Sequence, residues 1–447
     1  MRLSQLMLPD IEAAFAADPD AVRELFEDLH DEDVADIVES APASLAPELL
    51  AALSPPQAAG VLECIEPKRQ VDLVQRLGVD RAAAIIDEMA SDDRADFIAE
   101  LNHDFAEQLL FAMDDANEAE VRSLVQWPEG TVGSVMSTEA LKVPVEMSVG
   151  QVIERVRTVG QQAETVYYVF VVAGGDKLVG VVSLRDLILC RANEAVAAIM
   201  TEDVKFIGPD ADREEAADLI QHYDLLALPV VDEQHGLLGL VTIDDLVDVI
   251  EEEATEDMHL MAAVQPLDDS YFGTEFWTFV RKRAPWLVAL FIGGQFTANA
   301  MSWYDDVLQK ASVLVLFLPL VISSGGNSGS QSATIIIRAL AVGEVSIVQA
   351  GRVLARELAM GLVLGGLLAT IGVVRSIVGA EGALVAMTLG LTLVTVVTLG
   401  TVVGAMLPIL LERLGLDPAV SSTPFIASLV DLMGIVAYFS VARAMLL

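Results

Sequence analysis

DPAVSSTPFIASLVDLMGIVAYF, Asp417 to Phe439, opens the last strongly apolar stretch of this chain. From Pro424 to Leu447 every residue is apolar or small except Ser428, Asp431, Tyr438, Ser440 and Arg443, which is long enough to cross a bilayer as one helix. Asp431 is therefore expected inside hydrocarbon. An ionised carboxylate at the middle of a span costs about 2.5–3.5 kcal/mol on insertion scales, so it should face a bundle interior or a watery path rather than lipid. Helical spacing puts Thr423, Ala427, Gly434 and Tyr438 on the same face, which suits either a close helix contact or a pore wall. Two readings follow. Asp431 joins helices by pairing with a buried base or backbone group, or it marks a path for a cation or proton; the lack of Lys or Arg deep in any expected span favours the second.

Outward from this helix, the apolar pattern predicts five spans, at about 285–304, 311–340, 353–375, 382–411 and 424–446. With the amino terminus inside, Arg281, Lys282, Arg283, Arg338, Arg352, Arg356 and Arg413 fall at cytoplasmic ends, against Lys310, Arg375 and Arg443 on the opposite side. That asymmetry sets the orientation in the cell (inner) membrane, and an odd number of spans puts the carboxyl terminus outside. The second span contains PLVISSGGNSGSQSATIIIRAL, Pro319 to Leu340, in which Ser323 to Ser332 are all small or polar. Such a run is costly against lipid and tolerable beside a cavity or another helix. Its glycines suit close packing, whereas Asn327, Ser328, Ser330, Gln331 and Thr334 offer oxygens to water or to a hydrated ion.

The amino-terminal part is of a different kind. Residues 1–270 hold 57 Asp plus Glu against 16 Lys plus Arg, and residues 271–447 hold 9 against 10, so the formal charge of −40 belongs to the first part. This excess argues against nucleic acid and anionic lipid as partners and favours cations. MRLSQLMLPD lacks the apolar core of a signal peptide, and Cys64 and Cys190 fit no metal motif, so this part is expected to be cytoplasmic with reduced thiols. Between residues 10 and 126 short amphipathic segments recur about every twelve residues, beginning at Asp31, Ser54, Glu66, Val79 and Ser91, each with a Pro, Ser or Asp start signal. They predict a superhelix of short helices, with nothing arranged for catalysis. Asp92 and Asp96 lie one turn apart and suit either a divalent ion or the ordinary charge preference of a helix amino terminus.

From Trp127 the texture changes. An apolar strand, a turn at Gly-Asp or His-Gly, a second strand, and a helix opening with Ser/Thr-x-x-Asp occur twice, ending at Ser183/Asp186 and at Thr242/Asp245. This repeat, about Met136 to Ile250, resembles a tandem pair of CBS domains. The resemblance implies that those four residues lie where the ribose and phosphates of an adenine nucleotide such as ATP dock; helix capping is the alternative. IDDLVDVIEEEATEDMHLMAAV, Ile243 to Val264, then carries Asp245 and Asp248 one turn apart, and Glu252/Glu256 and Glu253/Asp257 four apart. Like charges so spaced oppose a helix by a few tenths of a kcal/mol each, roughly, and a shared divalent cation would offset this.

The order of parts resembles the MgtE family of magnesium channels: a helical acidic domain (1–130), tandem CBS domains (131–250), an acidic connecting helix and linker (251–280), and spans bearing GGNSGSQSAT and DPAVSSTPFIASLVD (281–447). The fold class expected is thus a multidomain membrane protein, all-α and superhelical at the amino terminus, α/β in the CBS pair and a five-helix α bundle in the membrane. The resemblance implies a homodimer with a pore on its twofold axis between second and fifth spans, where Asp431 of each chain faces hydrated Mg2+, with Ala427, Thr423, Asn327, Ser330 and Thr334 along the path. It further implies closure by cytosolic Mg2+ bound to Asp92, Asp96, Asp212, Glu214, Asp224, Asp245, Asp248, Glu253, Glu256 and Asp257. Position 330 is Ser, and position 423 Thr, where relatives can carry an amide. Enzymatic readings find little support: a CBS-regulated intramembrane protease requires His-Glu-x-x-His in a span, and no His follows position 259. The competing function is a proton- or sodium-coupled exporter of divalent ions.

Overall fold

The computed structural model describes residues 3–18, 23–26, 29–267, 271–310 and 312–446. Residue 311, where the second expected span begins, lies outside them. The chain divides into two compact units, Met1–Ile250 and Glu251–Leu447.

The first unit begins with a run of short helices that includes α1 (Leu3–Ala17), α2 (Asp31–Ser40), α3 (Ala46–Ala52), α4 (Pro55–Glu63), α5 (Pro67–Leu77), α6 (Val79–Ile86), α7 (Ser91–Glu100), α8 (His103–Ala112) and α9 (Asp115–Leu124). Their starts follow local chemistry. Pro occupies the first turn of α3, α4 and α5, where its missing N–H costs nothing, and the Asn102 side chain accepts from Phe105 N–H to cap α8. From α2 to α9 each helix packs on the one two places along. That alternation follows from ten-residue helices whose buried positions recur at three and four residues, for example Val34, Ala35, Ile37 and Val38.

The rest of this unit is the twofold repeat. Strand β1 (Lys142–Pro144) runs parallel to β2 (Tyr168–Ala173), which pairs antiparallel with β3 (Lys177–Ser183); β4 (Ala227–Val231) pairs antiparallel with β5 (Leu237–Thr242). The hairpin turns fall where the sequence places them, with Gly175, Asp176 and His235 at positive φ. Helices α10 (Val149–Val159), α11 (Leu184–Leu189), α12 (Val196–Ile199) and α13 (Arg213–Tyr223) complete the two halves. Helix α14 (Ile243–Met261) follows β5 directly and continues past the boundary between the units.

In the second unit α15 (Phe276–Ser302) and the short α16 (Asp305–Lys310) precede α17 (Leu318–Ala341), α18 (Ala350–Val378), α19 (Ala383–Arg413) and α20 (Thr423–Leu446). Among the described residues four helical segments are long and apolar enough to cross a membrane, ending in α17, α18, α19 and α20. Helix α15 has the length of a span, but Gln295, Thr297 and Asn299 dilute its apolar character, so the first expected span, 285–304, rests on length alone. Helix α19 is central and packs on α17, α18 and α20. Glycines make this possible: a Cβ at Gly404 would overlap the Gly329 carbonyl, and one at Gly400 would lie 2.5 Å from the Gly325 carbonyl oxygen.

Candidate ion sites in the two units

In the membrane unit Asp431 is half-buried on α20, one turn beyond Ala427. Opposite is Gly326 of α17, where a Cβ would stand 3.4 Å from Asp431 Oδ1 and 3.7 Å from the Ala427 Cβ. Asp431 and Ala427 thus face the buried backbone of Gly326 at van der Waals distance. A turn nearer the start of α20, Ser330 Oγ donates to the Thr423 carbonyl at 3.5 Å. Asn327 and Thr334 are exposed on α17, and Asn327 Nδ2 donates to Ser323 Oγ at 3.3 Å. Among the described residues Asp431 receives neither a hydrogen bond nor an ion pair, so the helix-joining reading has no partner to name. The face predicted for Asp431 is not uniform: Gly434 packs on Val396, and Tyr438 is fully buried with its hydroxyl donating to the Leu314 carbonyl at 2.9 Å. The open part of the face thus runs from Thr423 to Asp431 and closes beyond it.

In the first unit the start of α7 is docked on the segment before β1. Ser91 Oγ lies 3.1 Å from Ser137 Oγ and accepts from Thr138 N–H at 3.0 Å, while the buried Arg94 pairs with Glu120 at 3.2 Å and reaches Glu139 at 3.9 Å. This brings Asp92 and Asp245 together across more than 150 positions of chain. Asp92 is 6% exposed and its Oδ1 has no hydrogen-bond partner. Burial first, then the charges of Asp245, Glu164 and Asp93, push its pKa well above the usual carboxylate range. Burial likewise raises Asp245, against the hydrogen bonds from Thr242, and Asp244 and Asp248 add to the rise. Glu164 is raised by burial and by Asp245. A buried carboxylate oxygen lacking a donor, among other acids, is a cation-seeking arrangement.

The other expected residues fall elsewhere. Asp96 is exposed on α7. Asp212 caps α13 by accepting from Glu214 N–H at 2.9 Å, and Asp224 sits at its far end with φ 52°. Eleven residues of helix, about 16 Å, separate those ends, so one ion cannot hold all three within a chain. On α14, Asp248 and Glu256 are exposed, Glu253 and Asp257 half-buried. Asp257 is pushed up to about 6, chiefly by burial and then by Asp417, Glu253 and Glu256, with Arg338 opposing. Leu260 and Met261 pack against Ala333, Ile337, Ile426 and Val430, which seats the end of α14 at the starts and ends of the helices that flank Asp431. Among the described residues no three carboxylate, thiol or imidazole side chains converge on one point suited to a metal. For Mg2+ this is no obstacle, because it keeps several waters and takes one or two carboxylates.

At the repeat, Ser183 Oγ donates to Asp186 Oδ2 at 2.6 Å and accepts from Asp186 N–H at 3.1 Å; Thr242 bonds Asp245 in the same way through its hydroxyl, and through its N–H at 3.3 Å. Ser183 thus caps α11, Asp245 accepts the Thr242 N–H at the start of α14, and each hydroxyl is tied to the acid three residues on. Sequence reading overlooked Glu164 and Asp417, whose acidic neighbours are distant in sequence, and Glu357, a buried acid near the start of α18. The quoted DPAV stretch held the signal for Asp417.

Family models match along the chain: an MgtE intracellular N domain at 18–130, CBS domains at 132–193 and 196–252, and a divalent cation transporter domain, MgtE, at 318–441. The magnesium transporter MgtE of Thermus thermophilus is 37% identical over 438 residues, 97% of each chain. The chain belongs to the MgtE family. It is a family of divalent cation transporters, and this member is a multi-pass membrane protein. The Bacillus subtilis magnesium transporter MgtE is 33% identical over 337 residues, covering 75% of this chain and 74% of that one. Among solved structures, the cytosolic domain of the Mg2+ channel MgtE in complex with ATP is 34% identical with a TM-score of 0.52, covering 55% of this chain and 99% of that one. The helical domain, the CBS tandem with its mixed strand pairing and the carboxy-terminal apolar helices all fit this membership.

Proposed function

We propose that this chain is a magnesium channel of the cell membrane that admits Mg2+ to the cytoplasm and is closed by cytosolic Mg2+. The observation that carries the reading is Asp431: a half-buried carboxylate in an apolar helix, facing Gly326 and without a donor or base among the described residues. Such an acid attracts a cation, and a hydrated Mg2+ is the ion least able to shed its water for a closed protein cage. In a homodimer a second Asp431 across the twofold axis supplies the second charge. Thr423, Ala427, Asn327, Ser330 and Thr334 line the approach with hydroxyls, an amide and small side chains.

The acids of α7, α13 and α14 form the sensor. Mg2+ bound at Asp92 and Asp245, with Asp93 and Glu164 near, offsets repulsion in the first unit. Asp257 with Asp417 does the same where α14 meets the membrane helices, and Asp96, Asp212, Glu214, Asp224, Asp248, Glu253 and Glu256 add binding at the surface. Bound ion fixes α14 against the ends of α17 and α20 and shuts the path; loss of ion frees it. ATP docks at the repeat only if it replaces the hydrogen bonds that pair Ser183 with Asp186 and Thr242 with Asp245. The amino terminus lies inside and, with α15 as a fifth span, the carboxyl terminus outside. The likeness to magnesium transporters and to an Mg2+ channel supports this assignment.

Reconstitution in liposomes, with Mg2+ set independently on each face, tests it. Uptake should follow the Mg2+ gradient alone and fall as Mg2+ rises on the cytosolic face. A strict requirement for a proton or sodium gradient would turn the assignment to a coupled exporter.

A further inference from the structure

The membrane unit contains a second buried carboxylate. Glu357, in the second turn of α18, is 8% exposed, and its Oε2 accepts a hydrogen bond from Ser332 Oγ of α17 at 2.8 Å. Helix α18 packs on α19 and makes little direct contact with α17, so this side chain reaches past its own helix's main neighbour. Its backbone is held in place: Thr401 Oγ1 of α19 donates to the Glu357 carbonyl at 3.1 Å, and one turn on a Cβ at Gly361 would lie 2.6 Å from the same hydroxyl. Among the described residues no Lys, Arg or His forms an ion pair with Glu357, although Arg352 and Arg356 are close in sequence. An acid buried in a membrane bundle without a base is costly to keep.

Its partner explains what it does. Ser332 closes the small and polar run of α17 and lies on the buried side of that helix, about 140° round from the exposed Asn327. The contact between α17 and α19 is made largely by glycine, which lets the two backbones approach closely but supplies no side-chain hydrogen bond of its own. The Ser328 hydroxyl, 3.5 Å from the Val397 carbonyl, is a weak restraint. A rotation of α17 by one residue, about 100°, would replace Asn327 with Ser328 on the open face and turn Gly326 away from Asp431.

We propose that Glu357 is a positioning residue: by accepting from Ser332 it fixes the rotation of α17 and so holds Gly326 and Asn327 toward the ion path. This rests on the reading of Asp431 as the pore acid. The bond needs only an acceptor, so glutamine retains it and alanine loses it.

The test uses the full chain with Cys64→Ser and Cys190→Ser, reconstituted in vesicles, with Asn327→Cys or Ser328→Cys added, and measures labelling by a small cationic thiol reagent. With Glu357 intact, position 327 should label faster than 328 by up to about tenfold, the upper end of what one hydrogen bond is worth in an equilibrium. Glu357→Ala should erase most of that ratio and Glu357→Gln keep it. Ser332→Ala should match Glu357→Ala, and the two together should do no more than either. An unchanged ratio in Glu357→Ala overturns the positioning role. A ratio lost equally in Glu357→Gln overturns it too, in favour of a role for the negative charge itself. If 327 labels no faster than 328 with Glu357 intact, it is the pore reading that fails, and the positioning role falls with it.

Discussion

The two units handle carboxylates in opposite ways. Around Asp431 the protein provides a glycine, an alanine and hydroxyls and leaves the acid alone, so in low-dielectric surroundings a single charge acts strongly on a passing ion. Around Asp92 it gathers Asp245, Glu164 and Asp93, whose charges add to burial in raising the affinity of Asp92 for a proton, as Asp245 does for Glu164. The lesson is that isolation suits passage and crowding suits retention: one unpaired acid releases an ion easily, while a crowded group holds the ion whose charge relieves it.

The largest effect should come from breaking the isolated site. Loss of a carboxylate worth about 3 kcal/mol to a cation cuts flux by roughly 100-fold or more, so Asp431→Ala should be nearly silent in liposome uptake while remaining an assembled membrane protein by size-exclusion chromatography. Retained uptake would put the path elsewhere. Next in size is the crowded side. Asp245→Asn, Asp248→Asn and Glu256→Gln combined should leave flux intact at low Mg2+ and abolish its decline at high cytosolic Mg2+; normal closure in patch recordings would remove these acids from the sensor.

Gly404→Ala probes the packing beneath the isolated site. Its Cβ has no room beside the Gly329 carbonyl, and such overpacking costs about 1–3 kcal/mol, visible as a lower melting temperature in detergent. Asp92→Asn bears on crowding in the reverse sense. At pH 8 without divalent ions it should raise the melting temperature of the first unit's transition, because it removes a buried acid whose ionisation the fold opposes, and it should blunt the further rise produced by Mg2+. A lower melting temperature in the absence of Mg2+ would mean that the Asp92 charge is already balanced.

The smallest effect is on pH. Glu139 is pushed up to about 7, first by burial and then by Glu120 and Glu164, with Arg94 opposing. A folded-state pKa above the unfolded value of about 4.3 means that the native state binds the proton more tightly. Its contribution to the metal-free fold is therefore fully present at low pH and fades as pH rises through about 7. Resistance to proteolysis without Mg2+ should decline from pH 5.5 to pH 8, and Mg2+ should restore it at the upper end.

What the sequence revealed depended on how local the physics was. The starts of α4 and α5 were readable because Pro acts within the first turn, and the two hairpins because their turn residues fix the backbone on the spot. Asp431 stood out for a similar reason, since one charge in an apolar helix contrasts with its own neighbours. Glu357 did not, because it lies near a span end beside Arg352 and Arg356, where an acid looks like surface until the fold aims it at Ser332. Nor did the approach of Asp92, Glu164 and Asp245, which tertiary packing alone brings about. The face shared by Asp431 and Tyr438 shows the limit of periodicity: it gives azimuth, but depth along the helix decides that one is open and the other sealed.

The account's central claim is that conduction and sensing are separate tasks of separate acids, and flux in a combined variant addresses it most directly. With Asp245, Asp248 and Glu256 neutralised, uptake should persist at high cytosolic Mg2+; adding Asp431→Asn to that background should silence it at every Mg2+ concentration. Continued conduction by the combined variant would contradict the claim.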